Sequence, residues 1–118
     1  MRKNVVIIDD DEVTLHVVSE SISFVHPDYI VSKILVRPGT DVVRLLPARV
    51  DVFLVDSDLH FTTGPAVIRL FAKTYPKARI IGWSADLTSE KVQTFQEAGA
   101  TEVTEKKGSV DGIANLVG

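Results

Sequence analysis

The stretch NVVIIDDDE, from Asn4 to Glu12, joins an apolar run directly to a block of acids. Its four apolar residues, 5–8, are too few for a helix and have polar neighbours on both sides. A short continuous run of this kind is typical of a strand that is buried on both faces of a sheet. The four acids that follow, Asp9 to Glu12, repel one another in close proximity, so their position at the end of a buried strand calls for an explanation.

Short runs rich in β-branched residues recur along the chain, and segments with helical spacing lie between them. We predict strands at residues 5–8, 30–36, 50–55 and 80–83, and a weaker one at 102–104. The helical segments place these apolar residues on shared faces: Leu15, Val18, Ile22 and Val25; Val42, Val43, Leu45 and Leu46; Val67, Ile68 and Phe71; Val92 and Phe95. Gly99 suits a helix C-terminus, and Ser109 could cap a last helix that ends near Val117.

The alternation of strands and helices predicts a single α/β domain over residues 1–118. Such a pattern folds as a doubly wound, five-stranded parallel sheet with helices on both faces. The runs at residues 5–8 and 52–55 are continuous rather than alternating, so we expect these two strands at the centre of the sheet. No internal repeat, linker or low-complexity tract interrupts the pattern.

The composition excludes several classes of protein. The 118 residues are 45% hydrophobic and 25% charged, as in globular rather than disordered chains. A net charge of −3 provides no basic surface for nucleic acid, and the lack of cysteine excludes disulfides and thiolate metal sites. No apolar stretch is long enough for a membrane span and the N-terminus lacks a signal-peptide profile, so we expect a cytoplasmic domain.

Acids follow two of the predicted buried strands. Asp9, Asp10 and Asp11 come after the first strand, and Asp56 and Asp58 come after the third, in VFLVDSDLH. If these strands are neighbours, their carboxylates converge at one edge of the sheet, where sites of such folds form. A hard divalent cation relieves the repulsion, and a site with few carboxylates suits Mg²⁺. The alternative is that each acid is a solvated loop residue or a helix cap.

Two further polar residues follow the fourth and fifth strands. Ser84 follows the fourth strand in IIGWSAD, and Lys106 follows the fifth in TEVTEKKG. Alone, such a serine is usually a helix cap and such a lysine is usually solvated. Acids, a hydroxyl and an ammonium at one sheet edge together predict a phosphoryl site. There the cations neutralise phosphoryl oxygens, the hydroxyl donates a hydrogen bond, and one carboxylate acts as nucleophile.

In these motifs the chain resembles the receiver domains of two-component response regulators, which have the CheY-like fold. The resemblance covers essentially all 118 residues. The family pattern is an acidic pair after strand one, an aspartate after strand three with glycine eight positions later, Ser/Thr-Ala after strand four, and lysine after strand five. The matching residues here are Asp9-Asp10, Asp56 with Gly64, Ser84-Ala85, and Lys106.

The resemblance implies a Mg²⁺ site built from the acids of the first and third strands. Asp10 and Asp56 would bind the ion directly, together with the main-chain carbonyl of Asp58. Asp9 would bind it mostly through water.

The resemblance also implies a phosphoacceptor. Asp56 would take a phosphoryl group from a sensor histidine kinase or a phosphotransfer protein, and Ser84 and Lys106 would hold it. The only chemistry implied is self-phosphorylation and self-dephosphorylation, so the domain would not be an enzyme. Its conformational change would act on a fused or separate output domain and could produce a phosphorylation-dependent dimer, without direct binding to nucleic acid or membrane.

Position 103 departs from the family pattern. This position usually carries tyrosine or phenylalanine, whose ring turns inward on activation, whereas Val103 is too short to do so. We expect Trp83 or the loop at residues 85–88 to fill the space that Ser84 vacates when it moves to the phosphoryl group. Activation should then shift this loop and the start of the next helix.

Two other functions fit parts of the sequence. An apolar strand ending in Asp56-x-Asp58 also opens haloacid-dehalogenase-like phosphatases, with the first aspartate as nucleophile and the second as acid/base. His60 stands where that motif usually has threonine or valine, and the acids after Ile8 would have no role in it. The second alternative is a receiver-like interaction module that is never phosphorylated.

Overall fold

A parallel sheet forms the centre of the molecule in the computed structural model, which describes residues 3–57, 59, 63–106 and 111–118. Within these residues the strands are β1 (Asn4–Asp9), β2 (Ile30–Leu35), β3 (Val52–Asp56), β4 (Arg79–Ser84) and β5 (Glu102–Glu105). The helices are α1 (Glu12–Val25), α2 (Val42–Leu45), α3 (Gly64–Thr74), α4 (Ser89–Ala98) and α5 (Asp111–Leu116). The predicted α/β fold class is confirmed.

The strand order is β2-β1-β3-β4-β5, with every pair parallel. This order places β1 and β3 side by side inside the sheet, and their residues are almost entirely buried, as their continuous apolar runs predicted. The chain leaves β1 toward β2 on one side and continues in β3 on the other, so the order reverses between β1 and β3. Ligand sites of open parallel sheets form at this reversal, beyond the carboxyl ends of the strands.

Helices α1, α3 and α4 begin at side-chain caps, which explains where they start. The N-cap residues Asp11, Thr63 and Thr88 each accept a hydrogen bond from a backbone N–H of the first turn. Pro65 stands in the first turn of α3, where its missing N–H is not needed. Gly99 ends α4 at φ 118°, a left-handed conformation that favours glycine. The prediction for Gly99 is confirmed.

The predicted apolar face of helix α2 is wrong in part. It is a single turn, and Val43 and Leu45 are 52% and 55% exposed. Only Val42 and Leu46 pack against the core. They are four residues apart and lie on one face of the helix, whereas Val43 and Leu45 point to either side of that face. Val25, at the end of α1, is also partly exposed rather than buried.

The last helix, α5, runs from Asp111 to Leu116, so it stops one residue short of the predicted end at Val117. The predicted cap, Ser109, lies outside the described residues. None of the helices described is both long and apolar enough to cross a membrane.

Two apolar clusters lie on opposite faces of the sheet. The α1/α5 face contains apolar residues of those two helices together with Val5, Ile7, Val52, Leu54, Ile81 and Trp83. The α3/α4 face contains apolar residues of those helices together with Val6, Ile8, Phe53, Val55 and Ile80. Successive residues of a strand point to opposite faces, so Ser84, next to Trp83, faces the α3/α4 side.

Candidate functional site

Three carboxylates meet at the carboxyl ends of β1 and β3. Asp9, Asp10 and Asp56 each offer an oxygen, and these oxygens lie within 4.8 Å of one another. The β1–β3 register produces this meeting, because Ile8 pairs with Val55 and the next residue of each strand is an aspartate. Asp9 and Asp56 are buried, while Asp10 is partly exposed. The acids of the first and third strands are therefore neighbours, as the sequence predicted.

The pKa of Asp9 reflects its burial and, secondly, the crowding of these acids. Burial, and secondly the negative charge of Asp56, raise the pKa of Asp9 from 3.8 to about 6. Its Oδ1 accepts the Asp11 backbone N–H at 3.0 Å, whereas its buried Oδ2 has no hydrogen-bond partner among the described residues. A hard divalent cation would satisfy an unpaired carboxylate oxygen and remove the repulsion, so this donor set fits Mg²⁺.

Asp11 does not join the three carboxylates. Its Oδ1 accepts the Val13 N–H at 3.1 Å, and its Oδ2 accepts the Thr14 hydroxyl at 2.8 Å. Both bonds cap α1, so the side chain turns toward its own helix. For this one acid, the helix-cap alternative is the correct interpretation.

Lys106 contacts the central carboxylate. Its Nζ donates to Asp56 Oδ1 at 2.7 Å, and its backbone N–H donates to the Ser84 carbonyl at 2.7 Å. The backbone bond holds the start of the loop after β5 against β4, which brings the ammonium across to β3. The same Nζ lies 4.7 Å from the ring centroid of Trp83, a contact that the sequence analysis missed. Side-chain contacts between strands depend on register and rotamer, and neither is readable from one sequence.

Ser84 is at the same sheet edge, but its hydroxyl is bonded to the following loop. The hydroxyl donates to the Asp86 carbonyl at 3.1 Å and accepts the Asp86 N–H at 3.3 Å. The residue is fully buried. A move of this hydroxyl toward Asp56 would therefore break two contacts with the backbone of the loop.

Gly64 is required by packing between β3 and α4. A Cβ there would lie 3.1 Å from the Asp56 carbonyl oxygen and 2.9 Å from Phe95 Cε1. The contact with Phe95 is shorter than real Cβ atoms essentially ever show, and the contact with the Asp56 carbonyl is tighter than nine in ten real Cβ contacts. A side chain at this position would displace either the backbone of the central aspartate or the Phe95 ring.

Phe95 of α4 fills the space beside Val103. Gly82 pairs with Val103 in the β4–β5 register, and a Cβ on Gly82 would lie 3.4 Å from the Phe95 ring. Trp83 belongs to the opposite α1/α5 face, so the expectation that Trp83 could fill the space vacated by Ser84 is wrong. The glycine inside a predicted strand was the available signal, because it often marks a close approach of another group.

The remaining predicted site residues cannot be placed. Asp58, predicted to supply a carbonyl to the metal, and His60, which bears on the phosphatase alternative, lie outside the described residues. Their roles stay predictions.

A family model and several solved structures match this chain. The model of the response regulator receiver domain matches residues 5–117. No curated protein matches significantly. The structure of a BeF3-activated DrrB receiver domain is similar at a TM-score of 0.85 and 25% identity, covering 99% of this chain and 95% of that one.

Two further solved structures share the fold at lower identity. A Burkholderia pseudomallei response regulator with a phosphorylated aspartic acid, calcium ion and citrate has a TM-score of 0.83 and 21% identity, covering 98% of this chain and 66% of that one. A CheY-like receiver domain protein of Methanospirillum hungatei has a TM-score of 0.85 and 19% identity, covering 99% and 91%.

Proposed function

Because this chain belongs to the family of response regulator receiver domains, we propose that it is a two-component phosphoacceptor whose Asp56 receives the phosphoryl group. The observation that carries this proposal is the 2.7 Å contact between Lys106 Nζ and Asp56 Oδ1 beside two further carboxylates. An aspartate with a cation on one side and a cation-binding acid cluster on the other is suited to act as a nucleophile toward phosphorus.

The transfer exchanges one bond to phosphorus for another. A carboxylate oxygen of Asp56 forms the new P–O bond while the bond between phosphorus and the donor histidine nitrogen breaks, and the imidazole leaves with that electron pair. The Lys106 ammonium, already at Asp56, faces the charge that gathers on the phosphoryl oxygens. Ser84 would donate its hydroxyl to the same oxygens after leaving Asp86.

The metal of this reaction would be Mg²⁺. Asp10 and Asp56 would bind it directly with the Asp58 carbonyl, and Asp9 mostly through water. Bound there, the ion supplies positive charge that neutralises phosphoryl oxygens. The unpartnered oxygen and raised pKa of Asp9 support a cation at this position. The phosphorylated aspartate and calcium ion of the Burkholderia relative support the same pairing of acceptor and divalent cation.

The phosphoryl donor would be a sensor histidine kinase or a phosphotransfer protein, and the acceptor would signal to a fused or separate output domain. Switching would change the outer face of the domain, and dimer formation is one way to transmit that change. The domain itself would not bind nucleic acid or membrane, and it would perform no reaction beyond its own phosphorylation and dephosphorylation.

Incubation with acetyl phosphate and Mg²⁺, followed by intact-mass measurement, tests this function. We expect one labile phosphoryl group on the wild type and none on Asp56→Asn, whose amide is similar in shape but not nucleophilic. Rapid turnover of the donor with no accumulation of labelled protein would instead favour the phosphatase alternative. Absence of label on folded wild type would favour the interaction module, and equal labelling of Asp56→Asn would remove Asp56 from the role.

A further inference from the structure

The Lys106 ammonium lies between a carboxylate and an aromatic ring. Its Nζ is 2.7 Å from Asp56 Oδ1 and 4.7 Å from the ring centroid of Trp83. A cation within about 6 Å of an indole centroid is attracted by the ring's quadrupole, and tryptophan is the strongest partner for this interaction. The lysine is thus held from two directions.

Backbone contacts place Trp83 at this point. Trp83 pairs with Asp56 in the β3–β4 register, and its carbonyl accepts the Ser57 N–H at 2.9 Å. Strand alternation sends the indole to the α1/α5 face, where it is only 6% exposed. Both the carboxylate and the ring that contact Lys106 therefore come from paired positions of adjacent strands.

Core packing alone does not account for an indole at this position. Trp83 Nε1 is buried and has no hydrogen-bond partner within the described part of the chain. A buried N–H without a partner is unfavourable, and an aliphatic side chain would fill the core without that penalty. The feature that an aliphatic residue could not supply is the aromatic face beneath the ammonium.

We propose that Trp83 is a positioning residue for phosphoryl transfer, which holds the Lys106 ammonium at Asp56 through its aromatic face. This inference rests on the proposed phosphoacceptor function. A lysine has a long flexible stem, and its side chain here is 27% exposed. Fixing its ammonium before the phosphoryl group arrives removes an entropic and reorganisation barrier from the reaction.

The test uses the fact that Trp83 is the single tryptophan of the chain. Tryptophan carrying one, two or three ring fluorines can be incorporated at this position alone, and each fluorine weakens the attraction of the ring for a cation with little change in its shape. The readout is the rate of labelling by acetyl phosphate at saturating Mg²⁺. We expect the rate to fall with each fluorine, by about threefold to tenfold over the series.

The same series in a Lys106→Met background is the control that identifies the mechanism. If Trp83 acts through Lys106, fluorination has no effect on the residual rate of this variant, because the cation is gone. In otherwise wild-type protein, Trp83→Leu should slow labelling to a similar extent as full fluorination. Trp83→Phe keeps an aromatic face and should retain most of the wild-type labelling rate.

Three outcomes separate the claims. A labelling rate in otherwise wild-type protein that does not change with fluorination would overturn the positioning role. An equal fractional loss with and without Lys106 would also overturn it, since the ring would then act independently of the lysine. Failure of the unmodified protein to take up any phosphoryl group would overturn the proposed function itself, before Trp83 is considered.

Discussion

Two neighbouring residues at the end of β4 leave the strand in opposite directions and are held in different ways. Trp83 faces α1 and α5 and contacts Lys106, which is already paired with Asp56. Ser84 faces the other side and is bonded to the backbone of Asp86. Trp83, Lys106 and Asp56 would already be in place when a phosphoryl group arrives. Ser84 would have to leave Asp86 before its hydroxyl could reach that group.

In the proposed function, this difference would separate the groups that assist phosphoryl transfer from the groups that transmit the signal. The charged contacts around Asp56 would assist phosphoryl transfer without rearrangement. The exchange made by Ser84 would release the loop that leads into α4, and Phe95 on that helix packs against Gly64 and Gly82. We therefore expect the signal to leave through the loop and α4, and the predictions below test the two sides separately.

The largest expected effect concerns the packing of α4. Phe95→Ala should lower the free energy of unfolding by about 3–5 kcal/mol, because it empties a fully packed site against two glycines. Phe24→Ala is the matched control, since Phe24 is also helical but 88% exposed, and we expect a change within about 0.5 kcal/mol. Urea unfolding measures both. Similar small losses for the two variants would show that Phe95 does not anchor the α3/α4 face.

On the charged side, Asp9 should make stability depend on pH when no divalent cation is present. Because its pKa is raised from 3.8 to about 6, the folded state binds more protons than the unfolded state between these values, and stability falls as pH rises through this window. Asp9→Asn removes the cost of ionisation. We expect this variant to be more stable than wild type by about 2–3 kcal/mol at pH 7, with the difference vanishing near pH 4.

Unfolding measured in EDTA between about pH 4 and pH 8, on both sides of the raised pKa of Asp9, checks this prediction. Added Mg²⁺ should reverse the order at pH 7, because the ion stabilises the ionised wild type and the variant has lost a ligand. A variant less stable than wild type in EDTA at pH 7 would mean that Asp9 is stabilised in its charged form.

A smaller effect distinguishes the acids that follow β1. Asp10→Asn should weaken Mg²⁺ binding by about tenfold, since one carboxylate of the cluster is lost. Asp11→Asn should change the affinity by less than about twofold, because this side chain caps α1 and asparagine caps nearly as well. Quenching of Trp83 fluorescence during a Mg²⁺ titration reports both. Equal losses would place Asp11 at the metal.

The fold and the location of the site were predictable because they depend on patterns that are visible in the amino-acid sequence. Continuous apolar runs identified β1 and β3 as central, and the acids that follow them had to share one edge of a parallel sheet. The prediction for α2 was wrong because four apolar residues around a single turn cannot all point toward the core.

Contacts set by register and rotamer could not be predicted in the same way. The Trp83–Lys106 pair depends on how β5 lies against β4, and the bonds of Ser84 to Asp86 depend on the conformation of a loop. The Phe95 ring beside Gly82, the strand partner of Val103, depends likewise on how α4 packs on the sheet.

The most direct test of signal transmission through the loop is a comparison of backbone amide shifts with and without beryllofluoride and Mg²⁺. Beryllofluoride bound to Asp56 imitates the phosphoryl group, so Ser84 should leave Asp86 and turn toward it. We expect the largest shifts at residues 86–90, which span the loop and the start of α4, and little change at Val103. Large shifts at Val103 and its strand, with residues 86–90 unchanged, would contradict this route.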